Sequence, residues 1–156
     1  MKIKWKNLII CILIPLAVGA LSAFITKDSM SMFEEINKPP LSPSPILFPI
    51  VWTILYILMG ISSYLVYTSD AAKYKISSAL QTYAIQLAVN CFWSIIFFNM
   101  QLYLLAFVWL ILLWILIIST IIKFNPISKT AAYLLIPYLL WVTFAGYLNI
   151  GIYFLN

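Results

Sequence analysis

Residues 102–122, LYLLAFVWLILLWILIISTII, decide the class of fold because they contain no charged side chain. As a helix rising about 1.5 Å per residue, this stretch crosses a hydrocarbon core of roughly 30 Å. The whole chain has the same character, since 65% of its 156 residues are hydrophobic and only 8% are charged. An ordinary soluble domain has about 25% charged residues. The composition therefore predicts a polytopic membrane protein.

Five apolar runs are long enough to span a membrane, and backbone hydrogen bonding in lipid makes each a helix. They cover residues 8–25, 46–67, 79–98, 102–122 and 131–155. The first run also resembles a signal peptide, but its length favours a retained span. We expect an all-α integral membrane bundle of five transmembrane helices. It would form one domain over residues 1–156, with a structured first loop over residues 26–45.

The lysines set the expected orientation. Seven of the nine fall on one side of the membrane, at the N-terminus and in the connections after spans 2 and 4, whereas the first loop holds only Lys27 and Lys38. The positive-inside rule places the N-terminus of this cell-membrane protein in the cytoplasm, and the first loop and C-terminus outside. Because the lysines stand singly at span ends, they do not indicate nucleic-acid binding.

The stretch KPPLSPSPILFP, residues 38–49, joins the end of the first loop to the start of the second span and contains five prolines. Residues 26–45 contain no glycine, so the prolines hold the backbone near one shape at little entropic cost. Ser44 and Pro45 match the N-cap and first position of a helix. We interpret the loop as a lid over the mouth of the bundle, with a rigid connector as the alternative reading.

Aromatic and amide side chains line up on one face of three spans. At 3.6 residues per turn, each set falls within a stripe of about 100°. The stripes are Trp52, Tyr56, Met59 and Ser63 in span 2, Gln86, Asn90, Trp93 and Phe97 in span 3, and Tyr138, Trp141, Ala145, Leu148, Asn149 and Ile152 in span 5. A ligand pocket needs apolar walls and a few orienting polar groups. Ordinary core packing of the tryptophans is the alternative.

Three segments carry a resemblance to a known family. They are MFEEINKPPLSPSPILFPIVWTILYILMG (32–60), LAVNCFWSIIFFN (87–99) and LLIPYLLWVTFAGYLNIGIY (134–153). Together they resemble the translocator protein family, the tryptophan-rich sensory proteins that include the peripheral benzodiazepine receptor. The resemblance covers about residues 8–155 and suggests a bacterial member. It implies a pocket between the helices, closed by the first loop, for porphyrins, sterols or benzodiazepine-type ligands.

The resemblance adds positions to the stripes. It implies Phe33 as an aromatic of the lid and Ala145 as a small residue beside the ligand, while Trp109 stands where many members carry an acid. The predicted ligand-binding residues are Phe33, Trp52, Tyr56, Asn90, Trp93, Ser94, Trp109, Tyr138, Trp141, Ala145, Leu148 and Asn149. Light-dependent porphyrin breakdown has been proposed for members, and Trp52 and Trp141 would be the reactive indoles here.

Span 3 also has a face of small residues, Ala84, Ala88 and Cys91. Such faces let helices approach closely. The family's dimer contact lies on this helix, so we expect a homodimer through it.

Conventional catalysis has no recognisable constellation in this sequence. There is no histidine, and all four acids lie outside the spans, which leaves no set of residues for a metal centre or for acid–base chemistry. We expect a receptor or sensor for tetrapyrroles and benzodiazepine-type ligands, without a resident cofactor. Transport of porphyrin is the alternative, disfavoured because ion-coupled transporters hold intramembrane charges. A structural scaffold is the third reading.

The lysine distribution makes a direct prediction about orientation. A reporter fused after Asn156 should lie outside the cytoplasm, because seven lysines against two oppose the other orientation. Labelling of a terminal cysteine by an impermeant maleimide in intact cells measures this. Labelling only after the cells are broken would contradict it.

Overall fold

The structure, a computed structural model, describes residues 2–156, and every regular element in that range is helical. The helices are α1 (Trp5–Thr26), α2 (Met30–Glu35), α3 (Leu47–Tyr67), α4 (Lys73–Ser94), α5 (Tyr103–Phe124), α6 (Lys129–Leu134) and α7 (Ile136–Leu155). A 3-10 turn over Lys27–Ser29 joins α1 to α2, and a π-helical turn over Ile95–Asn99 extends α4. Five of the resulting helical segments are long and apolar enough to cross a membrane, which confirms the predicted all-α fold.

Several helices extend beyond the apolar runs of the sequence. α1 begins at Trp5 and α4 at Lys73, whereas the corresponding runs begin at residues 8 and 79. Hydropathy marks the stretch that lies in hydrocarbon, but helical hydrogen bonding continues through the polar turns at the interface. The apolar pattern therefore gives the number of spans better than it gives their ends.

The helices close into a ring. α1 packs against α3 and also contacts α4, α4 packs against α5, α5 against α7, and α6 returns to α3. Within this ring the backbones of α1 and α3 touch at Gly60, where an added Cβ would lie 2.5 Å from the Cα of Ile12. Only glycine permits such an approach. The contact fixes α1 against α3 near the middle of the bundle.

The fifth span is divided at Leu135 into α6 and α7. Pro137 lies in the first turn of α7 and has no N–H to donate to the carbonyl of Tyr133. The amide of Leu135 bonds the carbonyl of Ala132 at 3.2 Å.

The first loop is more helical than the sequence suggests, because it contains α2, and residues 36–44 then follow an irregular path. Leu41 has φ of 68°, a strained conformation for a side chain with a Cβ. The prediction that Ser44 caps the second span is wrong. The helix begins at Leu47 without a side-chain cap, and the Ser44 carbonyl accepts from the Leu47 amide at 2.9 Å.

Candidate ligand-binding site

A cavity of about 520 Å³ lies at the first-loop end of the bundle, between α1, α3, α4 and α7. Its volume falls within the range of about 300–1,000 Å³ that small-molecule sites occupy. Eight aromatic side chains line it: Phe33, Phe48, Trp52, Tyr56, Trp93, Phe97, Phe98 and Trp141. Among the described residues, no charged side chain lines it. The cavity therefore suits a ring system with few polar groups.

Nine of the twelve predicted ligand-binding residues line this one cavity. They are Phe33, Trp52, Tyr56, Trp93, Ser94, Trp141, Ala145, Leu148 and Asn149. The set includes Trp52 and Trp141, the two indoles considered for photochemistry. Both indoles line the same cavity, and their photochemical role stays a prediction.

Asn90 and Tyr138 do not line the cavity but belong, with Gln86, to a hydrogen-bonded layer beneath it, which we call the floor. The Tyr138 hydroxyl donates to Oε1 of Gln86 at 2.7 Å, and Nδ2 of Asn90 donates to the Tyr138 oxygen at 3.1 Å. Each of these three residues is 1% exposed. Asn90 and Tyr138 lie one turn below Trp93 and Trp141, so the predicted stripes are real but too long. Their lower polar members satisfy one another instead of facing a ligand.

Trp109, the third predicted residue outside the cavity, lies between α4 and α5. Its indole N–H donates to the carbonyl of Val89 at 2.8 Å, and its ring meets Phe92 edge-on at 6.4 Å between centroids. The carbonyl of the neighbouring helix therefore satisfies its only donor and holds the ring there. Trp109 occupies the position at which many family members carry an acid, but its side chain does not line the cavity. The prediction that Trp109 lies in the pocket is therefore wrong.

Trp93 and Asn149 hold one wall of the cavity in place. The indole N–H of Trp93 donates to Oδ1 of Asn149 at 3.1 Å, and Nδ2 of Asn149 donates to the carbonyl of Tyr103 at 2.8 Å. Trp93 also stacks on Phe97 with centroids 5.3 Å apart. These contacts join α4, α5 and α7, so the flat face of Trp93 is fixed before any ligand arrives.

Trp141 forms another part of the wall and differs from Trp93 in one respect. Its ring meets Phe48 at 5.8 Å between centroids, but its buried indole N–H has no hydrogen-bond partner among the described residues. An unsatisfied buried donor costs on the order of 1–3 kcal/mol. A ligand that brought an acceptor to this nitrogen would recover that energy.

The first loop covers the cavity through Phe33 of α2. The Phe33 ring lies 5.5 Å from that of Phe98 and 6.1 Å from that of Phe48, measured between centroids. The ammonium of Lys38 stands 4.8 Å above the Phe33 ring. The cover over the cavity thus consists of the Phe33 ring, with the positive charge of Lys38 above it.

The proline segment of the loop is docked on α7. The Tyr147 hydroxyl donates to the carbonyl of Pro40 at 2.7 Å. Pro39 lies directly on Gly151, where an added Cβ would approach its ring to 2.7 Å. The absence of a side chain at Gly151 therefore permits the loop to lie flat on the helix.

Side-chain hydrogen bonds tether the loop at two further points. The Ser29 hydroxyl donates to Oδ1 of Asn99 at 2.8 Å, at the end of the π-helical turn. The Asn37 amide donates to Oδ1 of Asn156 at 3.0 Å, and Nδ2 of Asn156 donates to the Asn37 carbonyl at 2.9 Å. These bonds join residues far apart in the sequence, which favours an ordered cover over a flexible linker.

Sequence reasoning missed the contribution of α1. Small residues there, including Gly19, Ala20 and Ala23, line the cavity and provide its space, yet they form no aromatic or amide stripe. Phe97 belongs to the predicted stripe of span 3 and lines the cavity, although the predicted ligand-binding residues do not include it. Phe98 reaches the cavity through the π-helical turn, for which the sequence has no clear signal.

The predicted dimer face divides into two parts. Ala84 and Ala88 are exposed, whereas Cys91 is half-buried and its sulfur accepts from the Ser22 hydroxyl at 3.2 Å. Cys91 is therefore engaged with α1 inside the bundle. Only the two alanines remain available as an outward-facing pair.

Comparison with known proteins places these features in a family. Residues 11–155 match the TspO/MBR family. The chain is 43% identical over 151 residues to Tryptophan-rich protein TspO of Chlorobaculum tepidum, covering 96% of each chain. It is 33% identical to Tryptophan-rich sensory protein of Cereibacter sphaeroides, covering 75% of this chain and 72% of that one. It is 34% identical to Translocator protein of Bos taurus, covering 88% and 82% respectively.

Proposed function

The chain belongs to the TspO/MBR family, and from that premise we propose that it is a membrane receptor whose loop-end cavity binds a tetrapyrrole such as protoporphyrin. The main support for this proposal is the uncharged cavity of about 520 Å³, lined by aromatic side chains and covered by the first loop. Benzodiazepine-type compounds, which are also flat and apolar, suit the same walls.

The walls offer two kinds of contact to a macrocycle. Trp52 stacks on Tyr56 and Trp93 on Phe97, both with ring planes 29° apart, so each pair presents an extended aromatic surface. The free N–H of Trp141 gives a donor that fixes orientation. The two propionates of protoporphyrin cannot be buried unpaired in such a cavity, so they would point to the mouth, beside Lys38.

Passage of the ligand through the bundle is the less favoured function. Below the cavity, Gln86, Asn90 and Tyr138 are bonded to one another and fully buried. A ligand moving toward the far side would have to break this chain inside the hydrocarbon, where no water replaces its hydrogen bonds. The closed floor supports binding and sensing over transport.

Replacing Trp141 tests the wall directly. Trp141→Ala should raise the Kd for protoporphyrin about tenfold or more, because it removes a stacking surface worth on the order of 1–3 kcal/mol. Trp141→Phe keeps an aromatic face and loses only the N–H, so its loss should be smaller. Tryptophan-fluorescence titration of the protein in nanodiscs measures both.

Trp114→Ala is the matched control for this series. Trp114 lies outside the cavity, is 38% exposed and donates its N–H to Thr143 at 2.9 Å. Its removal should leave the Kd unchanged. Equal losses from Trp114→Ala and Trp141→Ala would show that the tryptophans act through packing and not as walls of a ligand site.

The charge at the cover predicts a difference between two ligands. Lys38→Gln should weaken protoporphyrin binding about two- to fivefold at low salt, the range for a partly exposed ion pair, and less at high salt. Protoporphyrin dimethyl ester has no carboxylate and should bind both proteins alike. Lys129→Gln, the same change at the opposite end of the bundle, is the control. An equal loss for acid and ester would argue against a propionate at Lys38.

We also propose that two copies associate through the exposed alanines of α4. Small side chains allow helices to approach closely in lipid, and Ala84 and Ala88 face outward one turn apart. Replacing both with leucine should lower the dimer fraction severalfold without unfolding the monomer. Crosslinking in lipid with circular dichroism measures both quantities, and an unchanged dimer fraction would place the contact elsewhere.

A further inference from the structure

A second cavity, of about 410 Å³, lies at the end of the bundle opposite the first loop, between α1, α3 and α4. Its lining differs from that of the first cavity, because aliphatic side chains dominate. It is lined by Asn7, Ile10, Cys11, Ile14, Ser63, Tyr67, Leu80, Tyr83, Ala84 and Leu87. Like the first cavity, it falls in the size range of small-molecule sites.

The two cavities are separate. On α3, the first ends at Tyr56 and the second begins at Ser63. Between them, Met59 is fully buried and Gly60 touches the backbone of α1. The sulfur of Met59 also lies 4.0 Å from Nε2 of Gln86, which belongs to the floor of the first cavity. A molecule in the second cavity therefore occupies a site of its own.

Tyr83 gives this second cavity a specific polar group. Its side chain is 6% exposed, and its buried hydroxyl makes no hydrogen bond to any described residue. The neighbouring Ser63 hydroxyl donates to the carbonyl of Gly60 at 3.0 Å, and its oxygen does not accept from Tyr83 in this structure. The Tyr83 O–H is thus a buried donor without a partner among aliphatic side chains. Buried polar groups in native proteins usually have a hydrogen-bond partner.

The surroundings narrow the chemistry of that partner. No charged side chain of the described residues lines the cavity, so an ionised headgroup would be buried without a counter-charge. The α1 residues Ile10 and Ile14 are 45% and 51% exposed, so the cavity borders the lipid-facing surface between α1 and α4. Aliphatic walls favour a flexible chain over a flat ring.

We propose that the second cavity binds a neutral single-chain lipid whose carbonyl oxygen accepts a hydrogen bond from Tyr83. The chain lies along Leu80 and Leu87 and enters sideways from the bilayer. Asn7 and Tyr67, at the ends of α1 and α3, stand near the membrane surface where the polar end of such a molecule would lie.

Cys11 makes occupancy measurable, because its thiol lines the cavity and Cys91 is the only other cysteine. In full-length Cys91→Ala protein in nanodiscs, the rate at which N-ethylmaleimide modifies Cys11 is followed by mass spectrometry. Methyl dodecanoate is the probe. Pentadecane, which has the same number of non-hydrogen atoms and no acceptor, is the matched control.

Methyl dodecanoate should slow the modification of Cys11. Tyr83→Phe should raise the ester concentration for half-protection about three- to tenfold, the effect of one hydrogen bond, and leave any effect of pentadecane unchanged. The fold should persist, because the lost hydroxyl bonds nothing in this structure.

Three results of the experiments with ester and alkane would overturn the proposal. They are no protection by the ester, equal protection with and without the Tyr83 hydroxyl, and protection by pentadecane equal to that by the ester. Protection that appears without ester whenever two protein copies share a nanodisc would assign the cavity to the second copy, since Ala84 lines it, and would likewise overturn the proposal.

Discussion

Hydrocarbon offers no hydrogen-bond partners, so the polar groups of a membrane-spanning chain must form their hydrogen bonds with one another. Most indoles inside this bundle obey that constraint in an obvious way. Trp93 donates to Asn149, Trp109 to a backbone carbonyl and Trp114 to Thr143. The buried side-chain atoms that break the rule in the described part of the chain are the Trp141 indole nitrogen and the Tyr83 hydroxyl oxygen. Trp141 lines the first cavity and Tyr83 the second.

The number of spans and the main faces of three helices follow from the sequence, because both depend on local periodicity. Trp52, Trp93 and Trp141 lie on one cavity for that reason. Asn90 and Tyr138 show what helical periodicity cannot predict. A stripe indicates which side of a helix faces inward, but not the depth at which the cavity ends and side chains begin to bond to one another.

Features that depend on distant parts of the chain were beyond sequence reasoning. The loop is closed by pairs such as Asn37 with Asn156, whose proximity requires the complete bundle. The small side chains of α1 contribute to the site because they leave room for the cavity. This contribution produces no aromatic or polar pattern that the sequence would reveal. The prolines of the loop are visible in the sequence, whereas the fit of Pro39 on Gly151 is not.

The uncharged space beneath the loop is the proposed ligand site. A structure of the protein in lipid with bound protoporphyrin is the sharpest test of that assignment. We expect the macrocycle between Trp52, Trp93 and Trp141, beneath Phe33 and above the bonded Gln86–Tyr138–Asn90 floor, with its carboxylates at the loop. A macrocycle bound on the outer surface of the bundle, with the cavity unchanged, would contradict it.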